Sequence, residues 1–325
     1  AGGRGGVEYS DRTAPQHGKV WINRKDLTVI SDFGLIAGMD VIMVGVKAMA
    51  SEAVAKTIVS AIEAGGGDDR SRLIYMLQNG VDNAGRFAQY LAKASEKVAE
   101  GIRVQEVSIG YNVLQHGHQF VKTTSNPLVF ERGQLEGGFR DIEERFLTAV
   151  QRMEPVLTIE LVSGAELTSV KWSKLLINLN NSVNALSGIP LKQMLEDGDY
   201  RRVVSAAIAE GYELCQRRGI KVVRVGVHPY VAMKLASTPS WIYNRLLPWF
   251  VTIEPDAKLS MLVDLENGRQ TEVDFINGEI VQAGPEYNLQ TPVNAALVEL
   301  VKEAERSGRS PCLSSAELVR SCLGQ

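Results

Sequence analysis

The 325-residue chain contains little of the chemistry that disulfide frameworks and metal sites require. It has only three cysteines, Cys215, Cys312 and Cys322, which are widely spaced and form no CxxC pair. Neither a disulfide framework nor a zinc site is indicated, so we predict three reduced thiols and no metal. Histidine is also scarce, with four residues, which argues against an acid–base mechanism that depends on histidine.

The chain also lacks a large excess of charge and any long hydrophobic run. Its 35 basic and 38 acidic residues give a net charge of −3, so nothing favours binding to nucleic acid or to an anionic membrane. No apolar run approaches the roughly 18 residues of a membrane-spanning helix, and the start of the chain has no signal-peptide pattern. We therefore predict a cytoplasmic protein without nucleic-acid or membrane partners.

The patterns that are present divide the sequence into two parts. In the first part short apolar runs alternate with amphipathic segments, which predicts an α/β domain with a parallel sheet. In the second part strand patterns fade and long helical patterns follow, so we place a boundary between Ser163 and Gly164 and predict domains 1–163 and 164–325. The predicted strands are 40–47, 73–80, 104–111, 119–122, 127–131 and 155–162, and the predicted helices include 51–65, 81–100, 139–153, 200–218, 256–279 and 292–307.

The most informative stretch is WSKLLINLNNSVNALSG, which begins at Trp172 and places a lysine and several amides in an apolar run. As a helix, it aligns Lys174, Asn178 and Ser182 on one face, with Asn181 beside them. Burying such groups costs about 1 to 3 kcal/mol for each unpaired neutral group, so a polar ligand would explain their presence. The alternative is an asparagine ladder that bonds backbone between packed helices, with Lys174 extending to solvent.

A second informative segment runs from Lys258 to Val281. It contains Asn277-Gly278, a pair that often forms a hairpin turn. The flanking apolar residues recur at helical rather than alternate spacing. We therefore predict a helix here.

Several ordered segments carry a resemblance to a known family. They are DVIMVGVKA from Asp40, LQNGV from Leu77, WSKLLIN from Trp172, SMLVDLENGRQTEVDFINGEIV from Ser260 and TPVNAALVELVKEAE from Thr291. In their order and spacing the chain resembles the ketopantoate reductases, or 2-dehydropantoate 2-reductases. The resemblance implies a Rossmann-type NADP-binding domain followed by an all-helical C-terminal domain like that of 6-phosphogluconate dehydrogenase. It also implies NADPH-dependent reduction of a 2-oxo acid, with 2-dehydropantoate as the expected substrate.

The resemblance further implies roles for individual residues. Lys174 matches the family's catalytic lysine, a general acid that stabilises and protonates the alkoxide formed when a ketone is reduced. Glu272 falls at the position of the family's glutamate, while Asn178 and Ser260 match residues that bind the substrate. A continuous helix over residues 260–272 would separate Ser260 from Glu272 by about 18 Å. Either the helix breaks near Gly268, or Glu272 serves Lys174 or the cofactor instead.

Other matches compete with simpler interpretations. Lys47 and Asn79 match residues near the cofactor, although a lysine at a strand end is commonly a solvated charge and Asn-Gly is an ordinary turn pair. The family has a second asparagine four residues after Asn178, where this chain has Ser182. We therefore retain Ser182 as a candidate for substrate binding and add Asn181 as its substitute.

The largest departure from the family pattern lies at the front of the chain. Family members open with a strand, a GxGxxG turn and a helix, and these glycines let the backbone approach a pyrophosphate. The GGRGG near the first residue neither has this spacing nor follows a strand. We expect a truncated Rossmann-type domain, from an incomplete chain or a genuine loss of cofactor binding. A non-catalytic family member, a related 2-hydroxy-acid dehydrogenase, a homodimer and the choice between NADPH and NADH all stay open.

Overall fold

The computed structural model describes residues 6–14, 16, 18–23, 25, 31–66, 70–124, 126–133, 135–153, 157–250 and 253–325. Residues 1–5, which hold most of the glycine-rich start, lie outside these ranges. The chain folds as two compact units. One comprises Ala1–Gln78 and Asp82–Leu167, and the other Asn79–Val81 and Thr168–Gln325. The assignment of whole domains to 1–163 and 164–325 stays a prediction.

The first unit combines strands and helices. Its strands are β1 (Gly6–Asp11), β2 (Lys19–Asn23), β3 (Val41–Val44), β4 (Arg72–Met76), β5 (Ile102–Ile109), β6 (Val113–His116), β7 (Gln119–Lys122), β8 (Leu128–Glu131) and β9 (Ile159–Val162). Its helices are α1 (Ser51–Ala64), α2 (Asn83–Ala94), α3 (Glu96–Glu100) and α4 (Gly138–Gln151), and it has 3-10 turns at Phe33–Gly38 and Ala48–Ala50.

The larger sheet of this unit has the strand order β3-β4-β5-β8-β9. Strands β3, β4 and β5 are parallel to one another, whereas β8 is antiparallel to β5 and β9 is parallel to β8. The predicted parallel sheet is therefore right for the first three strands and wrong for the last two. Parallel neighbours need a long crossover connection, but the chain between β5 and β8 forms the β6-β7 hairpin instead.

Strand β4 shows how the sheet divides two apolar cores. All five of its residues are buried, which is typical of a central strand covered on both faces. Ile74 and Met76 pack in a core with residues of α1 and α2, while Leu73 and Tyr75 pack in a second core with residues of α4 and β8. Because side chains alternate along a strand, one apolar run serves both layers of helices.

A separate small sheet has the strand order β2-β1-β7-β6. The sequence patterns predicted only β7 among these strands. The sheet depends on a distant pairing, in which Glu8 of β1 lies opposite Gln119 of β7. A buried ion pair between Lys122 and Asp11, with Nζ and Oδ2 3.0 Å apart, joins the same two strands.

The single helix predicted over residues 81–100 is wrong, because two helices, α2 and α3, occupy this range. Ser95 takes an extended backbone conformation, with φ −161° and ψ 114°, and separates α2 from α3. Its side chain accepts a hydrogen bond from the Val98 N–H and so caps the second helix. Serine favours helix N-caps over helix interiors for this reason.

The second unit is built from helices around one apolar core. They are α5 (Gly164–Asn178), whose first turn lies in the other unit, α6 (Asn180–Ser187), α7 (Leu191–Glu196), α8 (Gly198–Arg217), α9 (Pro229–Ala236), α10 (Ser240–Leu246), α11 (Ser260–Glu266), α12 (Asn277–Ala283), α13 (Pro292–Ser307) and α14 (Ser315–Leu323). The core includes fully buried Leu176, Leu179 and Leu297. The helices predicted over 200–218 and 292–307 are confirmed as α8 and α13.

The single helix predicted over residues 256–279 is wrong. Helix α11 ends at Glu266, and a 3-10 turn at Val273–Phe275 precedes α12. Gly268 has φ +62°, a left-handed conformation that glycine adopts without steric cost and that commonly ends helices. The rejection of a hairpin at Asn277-Gly278 is confirmed, because these residues begin α12.

Candidate active site

Lys174 lies near the end of α5 and is anchored by its apolar neighbours. Leu175 and Leu176 are buried in the core of the second unit, and they fix the face of the helix from which Lys174 projects. The lysine side chain is half-buried. Its Nζ donates a hydrogen bond to Oδ1 of Asn79 at 3.0 Å.

Asn79 connects the lysine to a carboxylate. Its Nδ2 donates to Oε2 of Glu272 at 3.4 Å. Gly80 holds φ +92°, which glycine allows at no steric cost, and Val81 is buried in the core of the second unit. The tight turn and this buried anchor together present the Asn79 amide between Lys174 and Glu272. We call these three residues the lysine cluster.

Glu272 lies beside Asn79 because the chain turns after α11. It directly precedes the 3-10 turn at Val273–Phe275 and is 8% exposed. The sequence left two alternatives for Glu272, a helix break near Gly268 or a position beside Lys174, and the structure contains both features. The helix does break at Gly268, and Glu272 does lie with Lys174, through Asn79.

Burial changes the acidity of the lysine. The pKa of Lys174 is lowered from its usual 10.5 to about 8, mainly by loss of solvation and then by the positive charge of Lys171, whereas Glu272 opposes the shift. A lysine near this pKa carries a proton at neutral pH and can release it readily, as a general acid must.

Sequence reasoning did not identify Lys171. It lies one helical turn before Lys174 on α5 and is 6% exposed. The available signal was the three-residue spacing of two lysines within one apolar helix, since residues at this spacing are neighbours on a helix surface.

The amides after Lys174 have separate environments. Asn178, one helical turn later, is half-buried, and Asn181 on α6 is 5% exposed. Ser182 is completely buried, and its hydroxyl donates to the Leu179 carbonyl at 3.0 Å. The proton of the Ser182 hydroxyl is therefore engaged by the backbone at the start of α6.

Asn184 has a structural role that was not predicted. Its Nδ2 donates to the Ile189 carbonyl at 2.8 Å, and its Oδ1 accepts from the Leu259 N–H at 3.0 Å. The second bond fixes the residue that precedes α11. Ser260, the first residue of that helix, is exposed.

Lys47 belongs to the first unit. It follows β3 and directly precedes the 3-10 turn at Ala48–Ala50. Gln78 donates to the Val46 carbonyl at 2.9 Å and to Ser51 Oγ at 2.9 Å. These bonds fix the loop that carries Lys47 at the carboxyl edge of the parallel strands.

Comparison with known proteins finds similar sequences and structures. Residues 166–305 match the family model described as the C-terminal domain of ketopantoate reductase PanE/ApbA. The 2-dehydropantoate 2-reductase of Archaeoglobus fulgidus is 29% identical over 268 residues, which cover 82% of this chain and 76% of that protein. The chain is thus similar to 2-dehydropantoate 2-reductases over most of its length, and its residues 166–305 match the C-terminal domain of the ketopantoate reductases. The members of this family named 2-dehydropantoate 2-reductase are oxidoreductases.

Solved structures confirm the predicted fold class. The ketopantoate reductase from Ralstonia eutropha superposes with a TM-score of 0.65 at 19% identity, covering 94% of this chain and 86% of that one. A D-mandelate dehydrogenase, solved with NADH and anilino(oxo)acetate, has a TM-score of 0.61 at 18% identity over 83% of this chain and 77% of its own. The α/β unit followed by a helical unit is thus the ketopantoate reductase fold.

The family match covers part of the predicted site. Lys174, Asn178, Ser260 and Glu272 lie within the matched range 166–305, as do the residues of α13 up to Glu305. The predicted roles of these residues, and of Lys47 and Asn79 outside that range, stay predictions.

In the part of the chain that the structure describes, no helix has the length and apolar character needed to span a membrane.

Proposed function

We propose that this chain reduces 2-dehydropantoate to pantoate with NADPH, using Lys174 as the general acid. The observation that carries the proposal is the lysine cluster, in which a half-buried ammonium donates to an asparagine that in turn bonds a buried glutamate. A family of 2-dehydropantoate 2-reductases supports the reaction class.

In the proposed reaction, Lys174 supplies the proton. Reduction of a ketone places negative charge on the carbonyl oxygen, and a preorganised ammonium stabilises that charge and then protonates it. The carbonyl carbon gains a hydride, the oxygen gains the lysine proton, and a 2-hydroxy acid results. Asn79 holds the ammonium in place by accepting its hydrogen bond, and Glu272 favours the charged form of Lys174.

We assign the binding of the substrate to Asn178, Asn181 and Ser260. Asn178 follows Lys174 by one helical turn, so both side chains project from the same face of α5. The amides and the exposed Ser260 hydroxyl offer neutral donors that suit a carboxylate and a hydroxyl. Ser182 is left out of this set because its hydroxyl bonds the Leu179 carbonyl.

The residues after β3 fit a nicotinamide cofactor that carries phosphate. Nucleotides bind beyond the carboxyl ends of parallel strands, and Lys47 adds a cation there. A Cβ added at Gly45 would meet no protein atom within 4 Å, so the space above this turn is open. We assign Lys47 and Asn79 to the cofactor. When bound, the reduced nicotinamide supplies the hydride that the keto carbon accepts.

Oxidation of NADPH in the presence of 2-dehydropantoate tests the proposal directly. We expect substrate-dependent loss of absorbance with NADPH, a weaker response with NADH, and saturable NADPH binding in a fluorescence titration. Reduction of other 2-oxo acids but not of 2-dehydropantoate would overturn the substrate assignment and keep the reaction class. Tight cofactor binding without turnover of any 2-oxo acid would indicate a non-catalytic family member.

The variant Lys174→Met tests the role of the lysine. It keeps the length of the side chain and removes the proton donor, so we expect kcat to fall by roughly 10²- to 10⁴-fold, the usual contribution of a general acid. Lys192→Met is the matched control, because Lys192 is an exposed lysine on α7 in the same unit. Equal turnover of the two variants would reject the assignment.

A further inference from the structure

The segment that carries Glu272 needs support from outside itself. It leaves α11 through Gly268 and enters only a three-residue 3-10 turn at Val273–Phe275. Such a short element has few backbone hydrogen bonds of its own. A carboxylate held this way stays in place only if its neighbours are fixed.

Glu305 of α13 fixes the residue before Glu272. Its Oε1 accepts two hydrogen bonds from Thr271, one from the backbone N–H at 2.8 Å and one from Oγ1 at 2.7 Å. Thr271 is 2% exposed, and its Oγ1 also accepts from the Val273 N–H at 3.2 Å. The residues on both sides of Glu272 are thus tied, directly or through Thr271, to one carboxylate.

Lys302 joins this arrangement from the same helix. Its ammonium lies 3.5 Å from Oε2 of Glu305 and forms a short hydrogen bond with Asp274. Lys302 is one turn before Glu305 on α13, so one face of the helix contacts residues 271 and 274. We call Glu305, Lys302 and Thr271 the clasp.

We propose that the clasp positions Glu272 for the proposed reaction, with Glu305 as the residue that fixes its backbone. This inference rests on the proposed function, and it assigns Glu305 a positioning role rather than contact with the substrate. Release of Thr271 would let Glu272 move away from Asn79. The hydrogen bond from Asn79 Nδ2 to Glu272 Oε2, which holds Asn79 in line with Lys174, would then be lost.

Three variants and one control test the clasp. Glu305→Ala removes the oxygen that accepts both hydrogen bonds from Thr271. Thr271→Val keeps the shape and removes the hydroxyl, and Glu305→Gln keeps an acceptor while removing the charge. Glu303→Ala is the control, because Glu303 lies on the same helix in an exposed pair with Arg306. Should Glu305→Ala fail to fold, Thr271→Val carries the test, since it leaves the carboxylate in place.

We expect Glu305→Ala to lower kcat by about 10- to 100-fold, the scale of a misplaced active-site group, with a small change in KM. The alkaline limb of its pH–rate profile should move to lower pH, because a displaced Glu272 no longer raises the pKa of Lys174. Thr271→Val should lower kcat and move the alkaline limb to lower pH by smaller amounts. Glu305→Gln should keep kcat and the limb near their wild-type values. A lower melting temperature with kcat and the pH limb unchanged would overturn the proposal.

A second readout separates this proposal from the proposed function. The pKa of Lys174 can be measured from the pH dependence of its acylation, followed by mass spectrometry, without any turnover. If the wild type reduces no 2-oxo acid, the proposed function fails, while a lower Lys174 pKa in Glu305→Ala than in Glu303→Ala still supports the clasp. Equal Lys174 pKa values in the two variants would overturn the clasp even in an active enzyme.

Discussion

Opposing effects set the charge of Lys174 at the scale of single residues. Burial removes solvent from the ammonium, and Lys171 adds a like charge one helical turn away, so both lower its pKa. Glu272 acts against them, and Asn79 accepts a hydrogen bond from the charged form. The balance keeps Lys174 protonated at neutral pH but close to the point of proton release.

The pH dependence of reduction follows from this balance. Because the pKa of Lys174 is depressed to about 8, its ammonium is present below that pH and is lost as pH rises through it. We expect kcat/KM for NADPH oxidation, measured between roughly pH 6 and 10, to fall above about pH 8. This ratio reports the pKa values of groups of the free enzyme.

Glu272→Gln provides the control for that profile. Removing the carboxylate charge removes the effect that raises the lysine pKa, so the alkaline limb should move to lower pH. A limb that stays in place, or one that moves to higher pH, would show that another group titrates.

The residues of the lysine cluster differ in how far the sequence alone could predict them. Lys174 and Asn178 were predictable because one helix carries both, at a spacing that aligns side chains. The bond between Asn79 and Glu272 joins residues 193 positions apart, and only the family resemblance suggested either residue. Ser182 satisfied the spacing rule, yet burial of its hydroxyl against the Leu179 carbonyl was not visible in the pattern.

At the scale of elements, local and distant interactions were predicted with different success. Helices α1 and α13 follow from apolar periodicity within one segment. Strands β1 and β2 could not be predicted this way, because the small sheet requires the distant strand β7. The break after α11 fell inside a helical pattern, and a single left-handed glycine decided it.

A pair of glycine substitutions tests that break. Gly268→Ala places a Cβ at φ +62°, which costs roughly 1 to 2 kcal/mol for a residue other than glycine. Gly278→Ala is the control inside α12, where an added Cβ comes no closer than 3.4 Å to a neighbour and alanine favours the helix by about 0.5 to 1 kcal/mol. Urea unfolding should show lower stability for the first variant and equal or higher stability for the second. The same sign for both would contradict the role given to Gly268.

At the scale of the whole molecule, the first unit holds two apolar cores and the helical unit holds one, to which it adds a polar centre. Arg201 of α8 is 1% exposed. Its guanidinium donates to the carbonyls of Leu195, Glu196, Ala236 and Thr238 and to Ser240 Oγ, at distances from 2.8 to 3.3 Å. It also lies 4.2 Å from the ring centroid of Tyr243. One side chain thereby joins the ends of α7 and α9 to α8 and α10.

Replacing this arginine should weaken the helical unit more than any loss of surface charge. Arg201→Met leaves several carbonyls without their donor, and each unsatisfied group costs about 1 to 3 kcal/mol, so we expect a loss of at least about 3 kcal/mol. Arg202→Met is the matched control, since the adjacent arginine is exposed and pairs with Asp199, a type of contact worth about 0 to 1 kcal/mol. Hydrogen exchange should show lost protection in α7 to α10 for Arg201→Met, with the strands of the first unit unchanged. Equal stability of the two variants would mean that the apolar core alone holds these helices together.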